Sequence, residues 1–156
     1  MGGAVETTSV DLAKRSRELS KAHFESNGLD LAAHHVVVMD VFEYFKYAKR
    51  KHLTFDVIVI DPPSFARNKK HTFSVAKDYH RLISQALDIL ADNGIIIAST
   101  NASNVSVAQF KKQLEKGFAS VKHDYLRLQQ LPSDFTVNEA DAVSNYLKVF
   151  TIRVKK

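Results

Sequence analysis

Cysteine is absent from these 156 residues, which excludes disulfides, thiolate metal sites and a cysteine nucleophile. That absence is compatible with a cytoplasmic protein. No apolar run approaches the roughly 18–20 residues needed to cross a bilayer, and no signal-peptide pattern opens the chain, so no membrane partner is expected. Proline is scarce: there are three, and two of them stand side by side as Pro62-Pro63. Hydrophobic residues at 45% and charged residues at 25% are globular values, so neither disorder nor a fibrous class is indicated. The length suits one ordinary domain spanning 1–156 with a core that needs no staples. A net charge of +5 and a pI near 9.4 lean toward a polyanionic partner.

Strand and helix patterns alternate from the start. Glu6 to Val10 is β-compatible and ends in Asp11; helix formers follow from Leu12 to the terminator Asn27-Gly28. Val36-Val37-Val38-Met39 is a β-branched strand ending in Asp40. Val41, Tyr44, Phe45 and Ala48 then recur at amphipathic helical spacing. Phe55 to Ile60, continuous apart from Asp56, predicts a strand buried on both faces. Tyr79, Leu82, Ile83, Ala86, Leu87 and Leu90 share a helical stripe that Asn93-Gly94 ends, and Ile95 to Ala98 is another buried strand. Val107, Phe110, Leu114 and Phe118 mark a further helix, with Ser103 or Asn104 placed to cap it. Val121 to Leu128 and Tyr146 to Val154 both alternate as strands, joined by the polar loop Pro132 to Ser144. No helix separates them, so they are expected to pair antiparallel. The resulting β-α-β-α-β-α-β-α-β-β order implies an α/β fold: a mostly parallel sheet with helices on both faces and a C-terminal antiparallel hairpin.

Ligands of open α/β sheets bind outside the carboxyl ends of the strands. Three strands end there in an aspartate: Asp11, Asp40 and Asp61. One such residue usually caps the next helix; three in register on one edge favour acceptors for ribose hydroxyls and similar groups. Asp61-Pro62-Pro63-Ser64-Phe65 is more specific. Two prolines cannot extend a central strand, so the chain must leave the sheet in a rigid turn. Such a turn holds backbone carbonyls and a nearby aromatic ring where a nucleobase could bond and stack. The bland alternative is a structural exit with Phe65 returning to the core.

Arg67, Lys69, Lys70 and His71 follow at once, placed to contact phosphates or simply solvated; Lys46, Lys49, Arg50, Lys51 and His52 form a second basic run. Ser99-Thr100-Asn101-Ala102-Ser103-Asn104 lies at the same edge, either lining a target pocket or capping the next helix. The seven histidines show no metal-ligand spacing, and no metal is assigned.

With these residues placed, the chain resembles the class I S-adenosylmethionine (SAM)-dependent methyltransferases that modify large-subunit ribosomal RNA. The likeness runs through Thr8-Ser9-Val10-Asp11, Asp40-Val41-Phe42, Phe55 to Phe65, Ala98-Ser99-Thr100-Asn101 and Ser133-Asp134-Phe135. It implies a Rossmann-like sheet, SAM as cofactor, and 23S-type ribosomal RNA as partner. By resemblance Asp11 binds the SAM ribose, Asp40 the adenine amino group, and Val41 or Phe42 packs on the adenine. Asp61, Pro62, Pro63 and Phe65 then lie beside the transferable methyl and the target base.

Members of that family that make 5-methylcytosine need a cysteine to activate the ring carbon. Here Asn101 lies in the region where they carry it, so cysteine-dependent carbon methylation is excluded for this chain. A ring or exocyclic nitrogen already has a lone pair and needs only orientation and a matched proton acceptor. The Ser99-Thr100-Asn101 stretch resembles the guanine-N7-modifying branch of the family, which implies a purine nitrogen as target. Family members also begin with a central strand and a small-residue loop that supports the methionine end of SAM. Met1-Gly2-Gly3-Ala4 resembles the end of the helix after that loop, so an N-terminally truncated domain is expected. Its open edges are expected to close up or to be filled by another chain, as a homodimer or strand-exchanged oligomer. Two other readings remain: a non-catalytic RNA-binding or assembly fragment, and an amino-group methyltransferase acting on DNA. The last fits poorly because Ser64 stands between the prolines and the aromatic.

Overall fold

The computed structural model describes residues 3–67, 72–138, 140–141 and 144–156. Lys69, Lys70 and His71 of the first basic run, and Met1-Gly2, lie outside them. The chain packs as two units, Met1–Lys51 and His52–Lys156.

In the first unit, β1 (Thr7–Asp11) lies parallel to β2 (His34–Val38), with Asp11 opposite Val38. Parallel neighbours need a crossover, and α1 (Lys14–Ser26) supplies it. The α1 helix stops at Asn27, and Gly28 follows with φ of +64°, the left-handed conformation that glycine adopts without a Cβ clash. Next comes α2 (Val41–Arg50), whose predicted stripe is realised: Tyr44, Phe45 and Ala48 are buried.

The second unit is built on a four-stranded sheet in the order β3-β6-β8-β7: β3 (Phe55–Ile60), β6 (Leu90–Thr100), β8 (Lys148–Lys155) and β7 (Lys122–Gln129). The β3 and β6 strands are parallel, and β7 pairs antiparallel with β8 as expected of the last two strands. The β8 strand also pairs antiparallel with β6, so the returning strand lies between its two neighbours. A small hairpin, β4 (Phe65–Arg67) with β5 (Thr72–Ser74), follows the Pro-Pro turn and has no counterpart in the sequence reading. The helices α3 (Val75–Leu87) and α4 (Val107–Phe118) bury Tyr79, Leu82, Ile83, Phe110, Leu114 and Phe118 in one core with Ile96 and Ile152.

Three expectations are corrected. Leu90 is not the last turn of the α3 stripe: the helix stops at Leu87, and Leu90 opens β6 opposite Phe55. The apolar spacing could not separate the two, because a buried strand residue and a buried helix residue look alike. Asn93-Gly94 therefore falls inside the span of β6, where the register shifts between Phe55 and Val57 and Asn93 takes a φ of +55°. Second, β3 is not buried on both faces: Val57 and Val59 are 52% and 65% exposed while Ile60 is buried. Third, α4 is capped by Ser106, not Ser103 or Asn104. Ser106 Oγ accepts from the Gln109 amide and the Gln109 side chain accepts from the Ser106 amide, a complete capping box.

Candidate active site

In the first unit the β1–β2 register brings the two acidic strand ends to one edge. Asp11 closes β1, the Asp11 carbonyl accepts from the Met39 amide at 3.0 Å, and Asp40 is the next residue. Each carboxylate also serves its own backbone. Asp11 Oδ1 accepts from the Ala13 amide at 2.8 Å and Oδ2 from Ser16 Oγ at 2.5 Å. These bonds, the amide first, hold the Asp11 carboxyl below its ordinary pKa. Asp40 is the N-cap of α2, accepting from the Phe42 amide at 2.9 Å. Capping and ligand binding are thus not exclusive, since a carboxylate has about four acceptor positions. Asp11 is exposed, and Val41 and Phe42 are half-buried in the first turn of α2.

In the second unit, Ile60 pairs with Ala98, so the Asp61-Pro62-Pro63 turn leaves β3 beside Ser99 and Thr100, which close β6 paired with Val149 and Lys148, and Asn101 follows them out of the sheet. Ser64 Oγ donates to Asn101 Oδ1 at 2.8 Å and joins the two. Asp61 and Pro63 are exposed, Pro62 is half-buried, and Phe65 is 61% exposed. The bland reading of Phe65 as a core residue is therefore not realised; its ring is available for stacking. The segment is firmly based. Thr100 Oγ1 accepts from the Ala102 amide at 3.1 Å, and the buried Lys148 donates from Nζ to the Ala102 carbonyl at 2.9 Å.

Sequence reading missed three members of this edge. Ser64 was only part of a motif, and Lys148 was one more basic residue. Tyr79 was a core stripe position. Its buried hydroxyl donates to the Ile60 carbonyl at 2.7 Å and accepts from the Ser99 amide at 3.1 Å, with the Ser99 carbonyl also at 3.1 Å. One signal existed: a buried tyrosine usually brings its hydroxyl to a partner.

The sequence model of the S-adenosylmethionine-dependent methyltransferases matches residues 1–149. This chain belongs to that family. Among relatives of this chain, YwbD of Bacillus subtilis (strain 168) is 46% identical over 99% of this chain and 40% of its own length. Ribosomal RNA large subunit methyltransferase I of Yersinia pestis bv. Antiqua (strain Angola) is 30% identical over 99% of this chain and 39% of its own. The crystal structure of SMU.776 complexed with SAH superposes with a TM-score of 0.95 at 72% identity, covering 99% of this chain and 40% of that one. The chain thus spans about two fifths of the length of these relatives. The superposition on the SMU.776 structure accords with the alternating strands and helices found here.

The residues present suit S-adenosylmethionine. Its ribose and adenine offer hydroxyl and amino donors, and the β1–β2 edge carries an exposed carboxylate kept ionised together with a second carboxylate two residues beyond its strand. Val41 and Phe42, still partly exposed, provide apolar surface for a flat base.

Proposed function

We propose that this chain forms the catalytic core of an enzyme that methylates a base of large-subunit ribosomal RNA, at a purine nitrogen. The observation that carries the reading is the rigid Asp61-Pro62-Pro63 turn tied through Ser64 to Asn101, with the Phe65 ring exposed beside it. Two relatives are named as enzymes on that class of RNA: the Yersinia protein above, and ribosomal RNA large subunit methyltransferase K of Neisseria meningitidis serogroup B, 39% identical over 64% of this chain.

Asp11 holds the cofactor's ribose hydroxyls, Asp40 its adenine amino group, and Val41 and Phe42 the adenine face. Bound S-adenosylmethionine supplies an electrophilic methyl group. On the target side, Pro62 and Pro63 fix the backbone, so the carbonyls of the turn are held in place to accept from a base edge. Phe65 stacks on the base, and Asn101 offers an amide that recognises a ring edge. Asp61 lies beside the target base in this reading, and its carboxylate takes a proton where the target is an exocyclic amine. This chain supplies no thiol to activate a ring carbon, which favours nitrogen as the target. The net charge of +5 accords with RNA as partner.

The test uses the full-length protein, methyl-labelled S-adenosylmethionine and protein-free large-subunit ribosomal RNA, followed by nucleoside mass spectrometry. Label in a purine methylated on nitrogen is the expected result. Label on C5 of a pyrimidine would overturn the nitrogen assignment. RNA binding without transfer, by protein that binds the cofactor, would favour a non-catalytic role in ribosome assembly.

A further inference from the structure

The Asp61-Pro62-Pro63 turn follows the end of β3, the neighbouring strand β6 closes with Ser99 and Thr100 before Asn101, and one side chain reaches both. Tyr79, on the first turn but one of α3, is fully buried, with its ring edge-on to Phe110 at 4.7 Å between centroids. Its hydroxyl donates to the carbonyl of Ile60, the last residue of β3 and the one before Asp61. The same oxygen accepts from the amide of Ser99, two residues before Asn101. Burial pushes the Tyr79 hydroxyl far above its ordinary pKa, so it remains a neutral group that gives one bond and takes another. At the mouth of the same two segments the exposed Ser64–Asn101 bond makes a second tie. The pair are thus held at two levels, by a buried phenol at the base and by a hydroxyl–amide contact above it.

We propose that Tyr79 is a positioning residue of the methyl-transfer site, its hydroxyl fixing the Asp61-Pro62-Pro63 turn relative to the Ser99-Thr100-Asn101 segment. It touches neither cofactor nor base; it acts through Ile60 and Ser99. The inference rests on the function proposed above only for its kinetic consequence. The physical consequence, a looser pair of segments, stands without it. A residue that merely fills the core owes nothing to its hydroxyl, whereas a positioning residue depends on it.

The deciding variant is Tyr79→Phe in the full-length protein, which keeps the ring against Phe110 and removes only the oxygen. Phe110→Leu, which disturbs the same core and leaves the hydroxyl, is the packing control. Losing a buried hydrogen bond is worth roughly tenfold in a local equilibrium, so amides of residues 99–102 should exchange about tenfold faster in Tyr79→Phe. They should do so less in Phe110→Leu. In the methylation assay, kcat should fall about tenfold while the dissociation constant and stoichiometry for S-adenosylmethionine stay within about twofold, because the loss is one of orientation. If the parent transfers methyl groups and Tyr79→Phe matches its kcat, the positioning role is overturned. If the parent transfers none, the functional reading fails and exchange decides alone: acceleration confined to these segments sustains the role of Tyr79, and unchanged exchange removes it.

Discussion

Ser64 Oγ lies 2.8 Å from Asn101 Oδ1, a hydrogen bond that spans 37 residues of sequence and ties the turn after β3 to the segment after β6. The bond is exposed, so water replaces it readily, and Ser64→Ala should change unfolding free energy by less than about 1 kcal/mol. Its consequence should be kinetic. With one tie gone the segments sample more orientations, and kcat for RNA methylation should drop several-fold, to about tenfold, at unchanged cofactor affinity. Steady-state kinetics beside a urea melt would check both halves; a large stability loss would make the bond structural instead.

Asp11 carries two duties that substitutions can separate. Asp11→Asn keeps an oxygen to accept from the Ala13 amide and removes the charge; Asp11→Ala removes both. Calorimetry with S-adenosylmethionine should show affinity falling roughly tenfold or more in either variant, the size of a charged hydrogen bond at about 1.5–3 kcal/mol. Only Asp11→Ala should also lose stability, by about 0.5–1.5 kcal/mol at most, the net worth of the hydrogen bond to the Ala13 amide. Equal affinity in all three proteins would remove Asp11 from the cofactor site.

The same carboxylate gives a pH dependence of known sign. Its pKa in the folded protein is lowered, by the Ala13 amide first and the Ser16 hydroxyl second, so folding favours the ionised form. That contribution is fully present above the ordinary carboxylate value of 3.8 and is lost as pH falls through the lower folded value. Thermal melts from pH 6 down to about pH 3 should therefore steepen less for Asp11→Asn than for the parent. The difference should be small, because Asp11 is exposed and solvent screens it. No difference below pH 4 would mean the two local bonds do not persist in solution.

Much of this was legible in the residues themselves. Strand-end aspartates fall where the pattern put them because β-branched runs and amphipathic helices have distinct periods, 2 and 3.6. Asp11, Asp40 and Asp61 needed only that alternation to be placed at carboxyl edges. Tyr79 was not legible as a site residue, since an apolar stripe shows that a ring is buried but not where its hydroxyl points. The partners of that hydroxyl are backbone atoms of Ile60 and Ser99, which leave no trace in sequence. The cap of α4 was missed for a different reason. Ser103, Asn104 and Ser106 are all good N-caps, and only Ser106 has a glutamine three residues on.

That cap is itself testable. Ser106→Ala breaks the bond to the Gln109 amide and should destabilise the protein by about 0.5–2 kcal/mol. Ser103→Ala and Asn104→Ala, at exposed positions outside the box, should stay within about 0.5 kcal/mol. Urea denaturation midpoints rank the three; a larger loss at Ser103 or Asn104 would return the cap to where the sequence suggested it.

Gly117 sets how closely α3 and α4 approach. A Cβ there would stand 2.5 Å from Ile83 Cβ, 2.8 Å from the His80 carbonyl oxygen and 2.9 Å from Ile83 Cγ2. Real Cβ atoms do not come so near, and neither a backbone oxygen nor a Cβ can swing aside. Alanine would gain about 1 kcal/mol in helix propensity over glycine. Forcing the helices apart in a core built on Leu82, Ile83, Leu114 and Phe118 costs about 1–3 kcal/mol, so the balance is expected to fall on the unfavourable side. Gly28→Ala is the contrast: nothing lies within 4 Å of its would-be Cβ, and its cost comes from the φ of +64° alone. Gly117→Ala should therefore lower the urea midpoint and increase exchange in both helices, whereas Gly28→Ala should affect only the end of α1. A Gly117→Ala protein more stable than the parent would mean the helices sit further apart than these distances require.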